Sequence, residues 1–136
     1  MSKSNIKIIL VDDHQEFILG LKSYFTNFND IEILAEFNSG AELLKYTNLP
    51  VADILLLDID MPELNGMEVA KLVNQKNPNL KIIAVTMYED NLYLKELVLR
   101  GFKGFVSKKR VTKNLYETII QVQNNNYVFP DIIKMI

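Results

Sequence analysis

Residues Asp53 to Gly66 read DILLLDIDMPELNG. The run Asp53 to Leu57 closes on three leucines, which predicts a short strand buried on both faces. Asp58 follows it directly. Met61 to Gly66 (MPELNG) is marked as a loop by Pro62 and the Asn65–Gly66 pair. Gly66 to Gln75 then places Met67, Ala70 and Val73 on one helical face. A buried strand, an acid, a loop and a helix follow one another within 23 residues.

The same unit recurs on either side. Upstream, Ile6 to Val11 (IKIILV) predicts a buried strand, followed by Asp12 and Asp13. His14 to Phe28 carries Phe17, Leu21, Tyr24, Phe25 and Phe28 at helical spacing. Ile31 to Phe37 is a second strand, and Ser39 to Thr47 a short helix. Downstream, Lys81 to Thr86 (KIIAVT) is a fourth strand. Asp90 is placed to cap a helix running to Arg100, which Gly101 ends. Gly104 to Val106 is a fifth strand, and Thr112 is placed to cap a last helix reaching Gln123.

Five strand–helix units imply an α/β fold with a parallel sheet covered on both faces. Right-handed crossovers make it doubly wound. The 136 residues fit one domain, with 1–125 as the folded unit and 126–136 as a tail or the start of a linker. A domain of this size buries about two thirds of its unfolded surface and needs no covalent staple. There are no cysteines, which excludes disulfides, thiolate metal sites and cysteine nucleophiles. No signal peptide, long apolar run or lipidation motif is visible, so no membrane association and a cytoplasmic location are expected. The net charge of −2 does not suit a free-standing nucleic-acid binder. The one basic cluster, Lys108, Lys109, Arg110 and Lys113, reads as a solvated helix start.

Function in such sheets gathers at the carboxyl ends of the strands. With strand order 2-1-3-4-5, Asp12 and Asp13 after the first strand lie beside Asp58 after the third. Crowded carboxylates raise one another's pKa, and a hard divalent cation held by oxygen ligands relieves them; magnesium suits that donor set. Each residue also has an ordinary reading. Asp12 and Asp13 can cap the next helix, and Asp58 can be a turn residue. Thr86 can be a β-branched strand end, and Lys108 a surface lysine. Together they supply a hydroxyl and an ammonium beside an acidic pocket, which is what a transferred phosphoryl group needs.

In this pattern the chain resembles the receiver domains of two-component response regulators. The matching pieces are VDDH at Val11 to His14, LLLDIDMPELNG at Leu55 to Gly66, AVT at Ala84 to Thr86 and GFVSK at Gly104 to Lys108. They lie in the family's order, and the resemblance spans Ile6 to Gln123. It implies a flavodoxin-like fold, a five-stranded parallel sheet of order 2-1-3-4-5 with five helices. It implies Asp58 as acceptor of a phosphoryl group from the phosphohistidine of a sensor histidine kinase. Asp12, Asp13, Asp58 and the backbone carbonyl of Asp60 would hold Mg2+. Lys108 would contact the phosphoryl oxygens. Thr86 and Phe105 would form the switch that remodels the surface of the fourth helix, fifth strand and fifth helix. Homodimerisation on phosphorylation is a further implication. Such a protein catalyses only its own phosphorylation and dephosphorylation. Three positions depart from the family's habit: Met87 replaces a small residue, Asp60 adds a carboxylate, and Lys109 replaces a proline.

A rival resemblance exists. LLLDIDM at Leu55 to Met61 is similar to the DxD motif of haloacid-dehalogenase-type phosphatases, with Asp58 as nucleophile and Asp60 as acid–base. Pro62 stands where that family has threonine or valine, and the acidic pair lies upstream instead of downstream. The apolar tail, with NYVFP at Asn126 to Pro130, resembles receivers joined to LuxR-type helix-turn-helix domains. Control of transcription is then expected, with DNA bound only through an output domain missing from these residues.

Overall fold

The computed structural model describes residues 5–60, 66–87 and 91–129. Five strands alternate with five helices in chain order. They are β1 (Ile6–Val11), α1 (Gln15–Phe25), β2 (Ile31–Phe37), α2 (Gly40–Leu44), β3 (Ile54–Leu57), α3 (Gly66–Lys76), β4 (Lys81–Thr86), α4 (Asn91–Leu99), β5 (Gly104–Ser107) and α5 (Val111–Gln123). Short 3₁₀ turns at Leu49–Val51 and Lys108–Arg110 precede β3 and α5. The sheet order is β2-β1-β3-β4-β5, and every pairing is parallel. This is the expected α/β, doubly wound receiver fold.

Strand composition explains the layering. β1, β3, β4 and β5 are almost wholly buried because both faces are covered, so their residues need no polar alternation. Ile9, Val11, Leu55, Leu57, Ile82 and Ala84 face one core, shared with Val69, Val73, Leu97 and Phe102. Ile8, Leu10, Ile54, Leu56, Ile83 and Val85 face the other, shared with Ile18, Leu21, Phe25, Leu115, Ile119 and Val122. Each large aliphatic or aromatic side chain so buried contributes about 1.5–3 kcal/mol.

Several boundaries differ from the sequence reading, for local reasons. The first helix ends at Phe25, because Thr26 Oγ1 donates to the Ser23 carbonyl at 2.6 Å and the chain turns. Ser39 is the cap of the second helix and accepts from the Glu42 amide at 3.2 Å. Asp53 precedes its strand, and its carboxylate accepts the Lys7 amide at 2.8 Å. Thr112 is not a cap: the helix begins at Val111, with Arg110 at the cap position. The hydroxyl of Ser107 caps the preceding 3₁₀ turn instead, accepting from the Lys109 amide. Gly101 does follow the fourth helix, at φ +92°, a conformation L side chains resist. Pro62, Asn65, Asp90 and residues 130–136 lie outside the described residues.

Two devices tie the periphery together. Between α1 and α5, the Tyr116 amide donates to the Tyr24 hydroxyl at 2.9 Å, and the Tyr116 hydroxyl donates to Asp30 at 2.7 Å. The Tyr116 ring stacks on Phe28 at 3.9 Å. Beyond α5 the chain turns at Asn125 and runs back along β5. There the Val128 amide donates to Lys103 and its carbonyl accepts from Phe105, both at 3.0 Å. Phe129 packs against the core cluster that contains Phe105.

Candidate functional site

Parallel strands deliver all their carboxyl ends to one edge. The register aligns Val11 of β1 with Leu57 of β3, so Asp12 and Asp58 emerge side by side. Leu57 pairs with Ala84 and Thr86 with Ser107, which brings the ends of β4 and β5 to the same level. The five residues expected to share this edge, Asp12, Asp13, Asp58, Thr86 and Lys108, do share it.

Asp58 is 1% exposed and Asp12 2%. The backbone holds both. The Asp58 amide donates to the Val11 carbonyl at 2.9 Å, and Asp58 Oδ1 accepts the Asp60 amide at 3.1 Å. Asp12 Oδ1 accepts the His14 amide at 2.8 Å, an Asx-type turn in place of a helix cap. Lys108 Nζ lies 2.8 Å from Asp12 Oδ2 and 3.6 Å from Asp58 Oδ2. It forms an ion pair with each, while neither oxygen accepts a hydrogen bond among the described residues.

Burial pushes the Asp58 carboxyl up to about 6, reinforced by the charge of Asp12 and opposed by the Asp60 amide and the Lys108 ammonium. The Asp12 and Asp58 carboxylates share one lysine, which leaves a surplus of negative charge. Asp12, Asp13 and Asp58 offer oxygens within 4.8 Å of one another, with His14 as a fourth member of the cluster. Close oxygen donors with buried, unfilled lone pairs fit a hard divalent cation of the magnesium type.

Two neighbours of this site were not assigned to it from sequence. His14 Nδ1 lies 3.2 Å from both Asp12 and Asp13. The Lys108 ammonium sits 4.6 Å above the ring of Phe17, a cation–π contact that orients it. The signal for Phe17 was its place one turn into the helix after the acidic pair. Thr86 is fully buried, and its hydroxyl donates to Asp60 Oδ2 at 2.7 Å. Phe105 is buried on β5, in register with Ala84 of β4. Met87 is half exposed just beyond Thr86.

Residues 8–120 match the family model of the response regulator receiver domain. The chain belongs to that family. Receiver domains are the phosphorylation-dependent switches of two-component signalling. The DNA-binding transcriptional activator EvgA of Escherichia coli strain K12 is 33% identical over 122 residues, 90% of this chain and 59% of that protein. The transcriptional regulatory protein DegU of Brevibacillus brevis is 26% identical over 133 residues, 97% of this chain and 56% of that one. The chain thus spans a little over half the length of these curated relatives. A LuxR-family two-component response regulator from Aurantimonas sp. SI85-9A1 superposes with a TM-score of 0.88 at 21% identity, covering 97% of this chain and 94% of that one. The isolated receiver domain of RcsB from Salmonella enterica serovar Typhimurium, solved with the phosphomimetic BeF3−, gives 0.83 at 23%, covering 97% and 98%. The phosphatase family of the rival motif is not the family of this chain. No helix among the described residues is long and apolar enough to cross a membrane.

Proposed function

We propose that Asp58 accepts a phosphoryl group from the phosphohistidine of a sensor histidine kinase. The observation that carries this reading is the Asp58 carboxylate itself: buried, with one oxygen free of hydrogen bonds and an ammonium 3.6 Å away. Asp58 attacks phosphorus as a carboxylate. A P–O bond forms, the P–N bond breaks, and its electron pair leaves on the imidazole nitrogen. Asp12, Asp13, Asp58 and the backbone carbonyl of Asp60 would hold Mg2+. When bound, Mg2+ would neutralise charge on the phosphoryl oxygens. Lys108, now paired with Asp12, is within reach of the same oxygens.

The acyl phosphate adds about 1.5–2 negative charges and new acceptors at one point. Thr86 and Lys108 answer that charge by reorienting, and Phe105 follows Thr86 inward. The surface of α4, β5 and α5 then changes, and a second copy of the chain is a fitting partner for it. Residues 1–125 form the body of the receiver, Val128 and Phe129 still pack on it, and 126–136 lead toward an output domain. That output controls transcription, as the names of the relatives indicate for them, and DNA is reached only through it.

Intact-mass measurement with acetyl phosphate and magnesium tests the reading. Wild type gains one phosphoryl group and Asp58→Asn gains none. A gain that persists in Asp58→Asn would remove Asp58 as the acceptor.

A further inference from the structure

Resting on Asp58 as acceptor, we propose that the Asp60 carboxylate is a positioning group that holds the Thr86 hydroxyl in the unphosphorylated state and competes with the phosphoryl group for it. The geometry is direct. Thr86 Oγ1 donates to Asp60 Oδ2 at 2.7 Å, a short, charge-assisted hydrogen bond. Thr86 is fully buried at the end of β4, so its hydroxyl can only serve acceptors brought to it. Asp60 is exposed, and its amide is tied to Asp58 Oδ1 at 3.1 Å. One residue therefore grips both the acceptor aspartate, through its backbone, and the responding threonine, through its side chain.

A hydroxyl has one proton to donate. In the unphosphorylated protein that proton is committed to a full negative charge. A phosphoryl group on Asp58 presents competing anionic oxygens, and Thr86 must release Asp60 to donate to them. Asp60 is exposed, so its carboxylate stays in contact with solvent when Thr86 leaves it. The exchange is therefore reversible, and the side chain at position 60 sets how far the switch leans toward its resting state. Asparagine at this position would keep an acceptor but weaken it, since the charge is lost. Alanine would remove this hold on the Thr86 hydroxyl.

The test compares wild type, Asp60→Asn and Asp60→Ala, each with and without Thr86→Ala, in two measurements. The first is binding of beryllium trifluoride in magnesium buffer, titrated by fluorescence or NMR. Removing the Asp60 acceptor should tighten binding about tenfold in Asp60→Ala, the size of one net hydrogen bond to a charged group, with Asp60→Asn in between. In the Thr86→Ala background the same substitution should change binding less than about twofold, because no proton is left to compete for. Equal tightening in both backgrounds would mean simple charge repulsion and would overturn the proposal, as would no tightening in either. The second measurement needs no ligand: the χ1 couplings of Thr86. A single rotamer in wild type that becomes averaged in Asp60→Ala supports the hold, and unchanged couplings overturn it. Should wild type bind no beryllium trifluoride while this rotamer difference persists, the phosphorylation reading fails and the hold on Thr86 stands.

Discussion

At the scale of single residues, burying Asp58 costs stability. Its carboxyl titrates near 6 in the folded chain against 3.8 in an ordinary setting, chiefly because it is buried. Below pH 3.8 both folded and unfolded chains hold the proton. Between 3.8 and about 6 the folded chain keeps a proton that the unfolded chain has lost. Stability from this group therefore falls as pH rises through that window, by up to about 3 kcal/mol once both states are ionised. Asp58→Asn should escape the loss. In magnesium-free buffer, urea unfolding should show the variant gaining on wild type as pH rises from 4 to 7.5. A difference between them that stays constant across this range would contradict the account. The aspartates, Thr86 and Lys108 were legible in the sequence because each directly follows a strand, and parallel strands end at one edge. The bond from Thr86 to Asp60 was not legible, because it depends on the rotamer of an exposed side chain that composition does not constrain. His14 and Phe17 stood in plain view, but only the folded helix shows that one meets both aspartates and the other lies under Lys108.

At the scale of elements, the start of α3 is locked against the end of β3. A Cβ on Gly66 would lie 2.5 Å from Ile59 Cα and Cγ2 and 2.8 Å from the Asp58 carbonyl. These are mostly backbone atoms, which cannot swing away, so the position needs glycine for close approach. Gly66→Ala should cost about 1–3 kcal/mol by chemical denaturation, as overpacking does. It should also lower the extent of phosphorylation by acetyl phosphate, since the displaced carbonyl belongs to Asp58. Stability and phosphorylation equal to wild type would show that the helix moves freely relative to Asp58. The five strands were read correctly because buried apolar runs announce themselves. Helix ends were read less well. The first helix stops at Phe25 through a hydroxyl bond to its own last turn, and the last begins at Val111 because Ser107 serves the 3₁₀ turn before it. Apolar periodicity carries no record of such local choices.

At the scale of the whole molecule, the sheet has two edges, guarded differently. On β2, Glu32 and Glu36 are exposed, and their charges discourage another strand from adding there. β5 reads GFVS and carries no charge of its own. Its safety comes from Val128, whose amide and carbonyl engage Lys103 and Phe105 where another chain would otherwise pair. The consequence is colloidal. Val128→Pro removes the amide that bonds Lys103 and should leave β5 a sticky margin. Light scattering on a concentration series should find that variant self-associating where wild type stays dispersed, and any shortened version lacking residues 126–129 should precipitate in the same way. Equal scattering from both proteins would mean that β5 needs no such cover.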